Sequence, residues 1–408
     1  MLKRIIAIAV IFVCATVAWL ILGATIFQRT YASDGALADH VVANWGAPQT
    51  QTPPAANVEV PERVQTLENG RPVITTQQKT VPLPLEASRV QVALDLAHRQ
   101  KGLLWYSTYK VDFAGTYTFR NTTDRDEVSF TLNFPAERAI YDDLQCTVDG
   151  QSLALTNGPR STTGKAKVAP GQTATLKVAY RSQGLTEWRY SFGGEVAQVR
   201  DFELRLTTNF KDVDFPDTLS PTEKRETDGG WELTWGYKNL VTGYQIGVQM
   251  PEKLQPGPLA GRISLFAPVS LFFFFFLMFI ITTMRGLELH PMNYFFLAAA
   301  FFSFHLLLAY LVDHVSIHTA FAVSSVVSII LVVSYLRLVL GVRFATREAA
   351  AAQFIYLVLF SYAFFFKGFT GLAVTIGSIL TLFVVMQITG RVRWAEKFAA
   401  KQTEAKQA

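Results

Sequence analysis

Residues 263–284 read ISLFAPVSLFFFFFLMFIITTM, and this stretch decides the fold. It carries no charge over 22 positions, while a hydrocarbon core about 30 Å thick is crossed by roughly 20 apolar residues in a helix. Backbone groups exposed to lipid find no hydrogen-bond partner, so such a run forms a transmembrane helix. Working outward, comparable runs lie at Tyr294–Val312, Thr319–Leu340 and Phe369–Thr389, with a shorter one at Gln353–Phe366. Only Lys367 and Gly368 separate the last two, which reads as a tight helical hairpin in which either helix is tilted or partly re-entrant. At the other end of the chain Ile5 to Phe27 follows Lys3 and Arg4. Its apolar run is longer than the 7–15 residues of a signal-peptide core, so it reads as an uncleaved anchor, with cleavage near Ala32 or Ala38 as the lesser alternative.

The charges fit that picture. Half of the 408 residues are hydrophobic and 17% are charged, an unusual balance for a soluble chain of this length. Residues 28–258 carry 24 Lys and Arg against 27 Asp and Glu, whereas the flanks carry 13 against 5. The net charge of +5 is therefore no nucleic-acid footprint, which would need its cations on one folded surface. With the N-terminus inside, Lys3, Arg4, Arg285, Arg337, Arg343, Arg347, Arg391, Arg393, Lys397, Lys401 and Lys406 are all cytoplasmic, and only Arg262 and Lys367 fall outside. Both termini are then cytoplasmic, and residues 28–258 are extracytoplasmic.

After the first span the chain stays helix-permissive to Trp45, as a short stalk. Gln49–Pro61, rich in Pro, Gln and Thr, reads as a linker. Alternation at period two then takes over, with Val90, Val92, Leu94 and Leu96 on one face and Val111, Phe113, Gly115, Tyr117 and Phe119 on another. Further strands are predicted at Val128–Phe134, Thr173–Tyr180, Trp188–Phe192, Phe202–Phe210, Trp231–Trp235 and Tyr244–Met250. Asp149-Gly150, Asn157-Gly158-Pro159, Gly193-Gly194 and Asp228-Gly229-Gly230 supply the turns. The expected organisation is an anchor over 1–29, a stalk and Pro-rich linker over 30–61, a β-rich domain over 62–258, a helix bundle over 259–389 and a basic tail over 390–408.

Several short motifs follow in a fixed order. Asn44-Trp45-Gly46-x-x-Gln49 closes the stalk, and Arg99-x-Lys101-Gly102 leads into the Tyr109–Phe119 strand. Asp214-Phe215-Pro216, Arg225, Gly230-Trp231 and Trp235 follow, and Leu289-His290-Pro291-Met292-x-Tyr294 opens the third span, which Asp313-His314 closes. This order resembles the CreD family of bacterial inner-membrane proteins over most of the chain. The family usually continues after the Gln49 motif with a Gly-Pro turn, where this chain has Thr50-Gln51-Thr52-Pro53-Pro54. The resemblance implies one N-terminal span, a large periplasmic domain and a C-terminal helix bundle, which agrees with the reading of the residues: an α+β membrane protein with an N-terminal transmembrane helix, a β-rich domain whose strand spacing suggests an antiparallel, sandwich-like form, and a C-terminal bundle of five transmembrane helices. It further implies a link to a two-component regulatory system and to cell-envelope integrity under stress. It implies no biochemical reaction.

The polar residues of the membrane part are the candidate site. His305 lies mid-span, where a polar group faces the bundle interior or an aqueous cavity. It reads either as a proton or ligand contact or, with more weight, as an imidazole bonded to a neighbouring helix, such as a serine of the fourth span. Asp313, His314 and His318 cluster at the end of that span, and the i, i+4 histidines would share a face and could bind zinc if the helix ran through them. The plainer reading is a polar loop in the headgroup region. Pro291 fits the first turn of a helix, and His290 is then interfacial. Ala320, Ser324 and Ser328 on the fourth span, and Thr370, Ala373, Gly377 and Thr381 on the sixth, form small-residue stripes that let helices approach closely. Of the 32 Phe residues, 22 lie in 259–408, and most are expected to face lipid or a partner.

Walker, His-Glu-x-x-His, Gly-x-Ser-x-Gly and dinucleotide glycine motifs are all missing from the sequence. No catalytic residue, cofactor or metal is assigned. The reading is a non-enzymatic envelope protein whose partners are the lipid bilayer and a protein or a second copy, met through the Phe-rich helices or the periplasmic domain. The alternative is a small transporter or intramembrane metal enzyme using His305, Asp313, His314 and His318.

Overall fold

The computed structural model describes residues 2–390 except 69, 70, 138, 194–196, 216 and 367. Pro216, Lys367 and the basic tail with Arg391 and Arg393 lie outside the described residues. The chain divides into two units, one built on Met1–Asp34 and Leu254–Ala408 with Gly102–Leu104, the other on Gly35–Lys101 and Trp105–Lys253.

Among the described residues, the helical unit has six helices long and apolar enough to cross a membrane. They are α1 (Leu2–Trp45), α2 (Pro256–Met284), α3 (Pro291–Leu311), α4 (Ile317–Leu340), α5 (Val342–Phe365) and α6 (Thr370–Thr389). Gly341, at φ +89°, breaks α4 from α5. The fifth span is thus 24 residues long and starts 11 residues before the predicted Gln353. Arg347 and Glu348 interrupt the apolar run and hid this start; Glu348 is held by Arg285 at 2.6 Å. The helix is π-wound at Ala345–Ala349 and Phe354–Leu359 and tightens to 3-10 form at Ala363–Phe365.

Inside this unit Leu271, Phe274, Met278, Leu297, Phe301, Phe304 and Leu308 form one core with Trp19 of α1. The phenylalanines are not mostly outward. A run of five on a helix turns through every face, so Phe274 and Phe275 are buried while Phe272 and Phe276 are exposed and stack on each other, 6.0 Å apart. The stripe on the fourth span is a packing surface, whereas that on the sixth packs only at Gly377 and Thr381 and leaves Ala373 exposed. Ala320, Ser324 and Ser328 are fully buried, Gly377 lies against the Phe360 ring, and the Tyr356 hydroxyl donates to Thr381 Oγ1 at 3.0 Å.

The β unit holds β1 (Gln49–Gln51), β2 (Ala55–Glu68), β3 (Arg71–Pro82), β4 (Leu85–Lys101), β5 (Leu104–Arg120), β6 (Glu127–Asn133), β7 (Tyr141–Val148), β8 (Gln151–Ser152), β9 (Leu155–Asn157), β10 (Ser161–Lys167), β11 (Thr173–Leu185), β12 (Glu187–Tyr190), β13 (Ala197–Thr208), β14 (Glu223–Glu226), β15 (Trp231–Thr242) and β16 (Ile246–Gln249). Eight strands run in the order β14-β15-β13-β4-β5-β11-β7-β8, five in the order β3-β2-β6-β10-β9, and three in the order β1-β12-β16. Pairing is antiparallel apart from β13 on β4 and β1 on β12. Period-two alternation buries one face: Val90, Val92 and Leu94 of β4, Val111, Phe113, Tyr117 and Phe119 of β5, and Leu176, Val178 and Tyr180 of β11 share a core with Trp188, Leu204 and Trp235.

The predicted linker is a correction. The helix runs to Trp45, and β1 and β2 occupy what reads as linker, with Gln49 and Gln51 fully buried. A glutamine-rich stretch looks like linker because burying an amide demands partners, and tertiary structure supplies them. Gln49 Nε2 donates to Ser182 Oγ (2.8 Å) and the Gln183 carbonyl (3.0 Å), and Gln51 Oε1 accepts from the Tyr180 hydroxyl (2.6 Å).

Candidate functional site

His305 is fully buried in α3, but its partner is not a serine of α4. Its Nδ1 meets the Phe301 carbonyl of its own helix at 3.0 Å, so Nδ1 carries the proton in that bond and Nε2 is left with no hydrogen-bond partner. The ring packs edge-on against Trp19 of α1, centroids 5.5 Å apart, and the Trp19 Nε1–H is likewise buried and unpartnered. The α4 serine bonds elsewhere: Ser328 Oγ donates to the Ala300 carbonyl at 2.6 Å and accepts from Gln353 Nε2 of α5 at 2.8 Å. Gln353 sits between the two π-wound segments of α5, a placement common at functional positions. Sequence reading passed over Trp19 and Gln353, since an indole in an apolar run and an amide beside an alanine run carry no local signature.

Asp313, His314 and His318 are not brought together with His305. The helix does not continue through them. α3 ends at Leu311, and Ser316 caps α4 by accepting from the Thr319 amide at 3.2 Å. His314 lies in the turn, whereas His318 sits on α4 against the Phe365 ring at 5.1 Å. Asp313 pairs with Arg29 of α1 at 3.3 Å; Arg29 also donates to the Ala309 carbonyl at 2.6 Å and lies over the Tyr310 ring. Among the described residues no group of three His, Cys, Asp or Glu is placed to hold a metal ion. Asp313 instead ties α1 to the end of α3. His290 caps α3, its Nδ1 accepting from the Met292 amide at 3.2 Å, with Pro291 in the first turn of the helix.

In the β unit two motifs far apart in sequence converge. The Arg99 guanidinium lies 5.4 Å from the Trp45 ring centre. Gly46 takes φ +87°, where a Cβ would stand 2.2 Å from the Gln183 carbonyl oxygen. With the Gln49 bonds to β11, these residues clamp the end of α1 and β1 onto β4 and β11. Gly102 turns the chain between β4 and β5 at φ +60°. Trp235 is fully buried and donates its Nε1–H to the Leu219 carbonyl at 2.8 Å. Arg225 pairs with Glu232, which Arg205 also reaches at 3.5 Å, at a surface hollow that Glu203 and Glu223 share. Burial raises the Cys146 thiol to about 11 and the Tyr141 hydroxyl to about 12, the latter against a hydrogen bond with the Ala136 backbone. Tyr117, Tyr180 and Tyr190 are raised by burial as well.

A β unit inserted between the first and second of six membrane-spanning-length helices, with polar groups spent on joining elements, defines a multi-pass membrane protein with one large non-helical domain. The chain belongs to the CreD family, described as inner membrane protein CreD, which matches residues 1–395. It is similar to inner membrane protein CreD of Escherichia coli K12, at 25% identity over 185 residues, covering 41% of this chain and 40% of that protein's length. Among solved structures it is similar to an M1 zinc metallopeptidase of Deinococcus radiodurans (12% identity, 41% of this chain, 42% of that one, TM-score 0.27). Another is a Legionella pneumophila protein provisionally described as nutrient binding (10% identity, 56% and 76%, TM-score 0.34). Similarity this low bears on neither fold nor activity here.

Proposed function

We propose that this chain is a non-enzymatic protein of cell-envelope integrity and stress response. Residues from about 28 to 258 are periplasmic and bind a protein or envelope component; both termini are cytoplasmic, and the helical unit anchors, oligomerises or relays. Family membership supports the setting, and the β2–β3 ribbon supports partner binding. The two strands pair from Asn57↔Pro82 to Glu68↔Arg71, whereas β6 covers β2 only at Ala55–Asn57. Among the described residues the ribbon beyond Asn57 has no further strand neighbour, and Glu62, Arg63, Gln77 and Gln78 on it are exposed. A lone two-stranded ribbon is marginally stable in water, so one of this length is suited to being completed by a partner along its open edge.

The test is a full-length chain with the ribbon shortened between Glu62 and Gln78, returned to a strain that lacks the protein. It is expected to insert at the wild-type level, yet fail to restore tolerance to cell-wall and detergent stress. Full restoration would sink the ribbon's role. Reporters near Asn157 and after Ala408 should read periplasmic and cytoplasmic respectively; the reverse pattern would overturn the orientation.

A further inference from the structure

A crevice of about 330 Å³ opens between α1 and α2 within the helical unit. Ile5, Ile8 and Phe12 form one wall and Phe272, Phe276 and Phe279 the other, with no polar side chain in the lining. From Ile5 to Phe12 the groove follows about 10 Å of helix, most of the ~15 Å depth of one hydrocarbon leaflet. Only 11% of the apolar window of α1 is buried, so this helix depends on few protein contacts.

One end of the groove is polar. Arg4 directly precedes Ile5, and its Nε and Nη2 are buried without a hydrogen-bond partner. The buried Tyr294 hydroxyl faces the Arg4 guanidinium and Thr282. Thr283, one turn beyond Phe279, carries a buried hydroxyl without a partner. A guanidinium next to the first lining residue of an acyl-sized apolar groove, on a helix otherwise facing lipid, matches one ligand chemistry: a phosphate joined to a hydrocarbon chain.

We propose that Arg4 and the phenylalanine-walled crevice form a site for a single anionic phospholipid. Its phosphate is held by the Arg4 guanidinium, and one acyl chain fills the groove and cements α1 to α2. The anionic charge is required because a zwitterionic headgroup carries its own ammonium, which competes with Arg4 for the phosphate.

The test uses full-length protein, delipidated in mild detergent and titrated with phosphatidylglycerol or phosphatidylcholine, and reads bound lipids by native mass spectrometry. Wild type is expected to retain one phosphatidylglycerol at least about 5-fold more tightly than phosphatidylcholine. Arg4→Ala should erase that preference and Arg4→Lys keep most of it, while Ala9→Phe, which fills the groove, should lower binding of both lipids alike. An Arg4→Ala protein that still prefers phosphatidylglycerol would overturn the headgroup assignment. Unchanged binding in Ala9→Phe would overturn the groove. If Arg4→Ala does not fold, the Arg4→Lys and Ala9→Phe pair still decides.

Discussion

Gly46→Ala tests whether the end of α1 is clamped onto the β unit or merely continues into it. The new Cβ would stand 2.2 Å from the Gln183 carbonyl oxygen, about 1 Å closer than a comfortable C···O contact of ~3.3 Å. β11 cannot retreat, because Gln183 is paired with Lys110 of β5 on one side and the neighbouring Ser182 with Tyr141 of β7 on the other. The chain at Gly46 must move instead. That movement strips the two Gln49 bonds to β11, about 1 kcal/mol each, and the Arg99 contact with Trp45, about 0.5–1 kcal/mol. The positive φ itself costs a β-carbon about 1–2 kcal/mol.

Gly171→Ala isolates that last contribution, since Gly171 sits at φ +78° with nothing within 4 Å of its would-be Cβ. Gly46→Ala is therefore expected to cost about 2–3 kcal/mol more than Gly171→Ala. The gap corresponds to roughly 5–10 °C in the β-unit melting point of the full-length protein, at 2–4 °C per kcal/mol for a unit of this size. Amide exchange should localise it, with the Thr50, Leu185 and Ser191 amides, which bond to Pro135, Ala47 and Gln51 across this seam, speeding up about 30-fold or more. If Gly46→Ala melts no lower than Gly171→Ala and those amides keep their protection, the clamp does not exist.

Alkaline pH should destabilise the β unit. Cys146 and Tyr141 titrate higher when folded, about 11 and about 12 against 9.0 and 10.0, so their contribution is full below about pH 9 and is lost as pH rises through 11 to 12. The buried tyrosines' share of the tyrosinate absorbance should appear together with the loss of β-sheet circular dichroism, and an intact fold with a full tyrosinate band at pH 10 would refute this. Arg29→Ala is expected to destabilise the helical unit more than Asp313→Asn, because it also loses the Ala309 and Tyr310 contacts. A double-mutant cycle should give an Arg29–Asp313 coupling below about 1 kcal/mol, as both side chains are about a third exposed. Ser328→Ala, which leaves the Gln353 amide without its acceptor, should cost about 1–2 kcal/mol. Gln353→Leu, which removes a carbonyl oxygen that is already unpartnered, should stay within about 1 kcal/mol in detergent-denaturation titrations.

Much of this architecture is legible in the chain because two physical periods write it plainly. Five of the six spans announce themselves by uncharged length, and the strands over 85–101, 104–120 and 173–185 by alternation, because each buries a single face. What the pattern hides are elements whose reason lies elsewhere in the chain. β7 begins Tyr-Asp-Asp and lies against β11 with its acidic residues exposed, so it has little apolar alternation to show. β3 is an edge strand with Gln77, Gln78 and Lys79 in the open. α5 loses its first half to the eye because Arg347 and Glu348 break the run, and only the pairing of Glu348 with Arg285 makes that break tolerable.

The candidate site shows the same limit in sharper form. Sequence spacing put His314 and His318 on one helical face, but spacing means nothing across a cap, and Ser316 places one there. Composition marked His305 as the buried polar residue of α3 and could not say what it would touch. The neighbour is Trp19, nearly 300 residues earlier, a pair invisible to any window along the chain. In lipid each such group must find a partner inside the bundle or remain unpaired at a cost. The Ala300 carbonyl shows one solution, accepting from Ser303 of its own helix at 2.7 Å and from Ser328 of α4 at 2.6 Å. The His305 Nε2 and Trp19 Nε1 show the other, two buried groups of complementary hydrogen-bonding sense left without partners at one contact between α1 and α3. Residues that satisfy each other hold helices together.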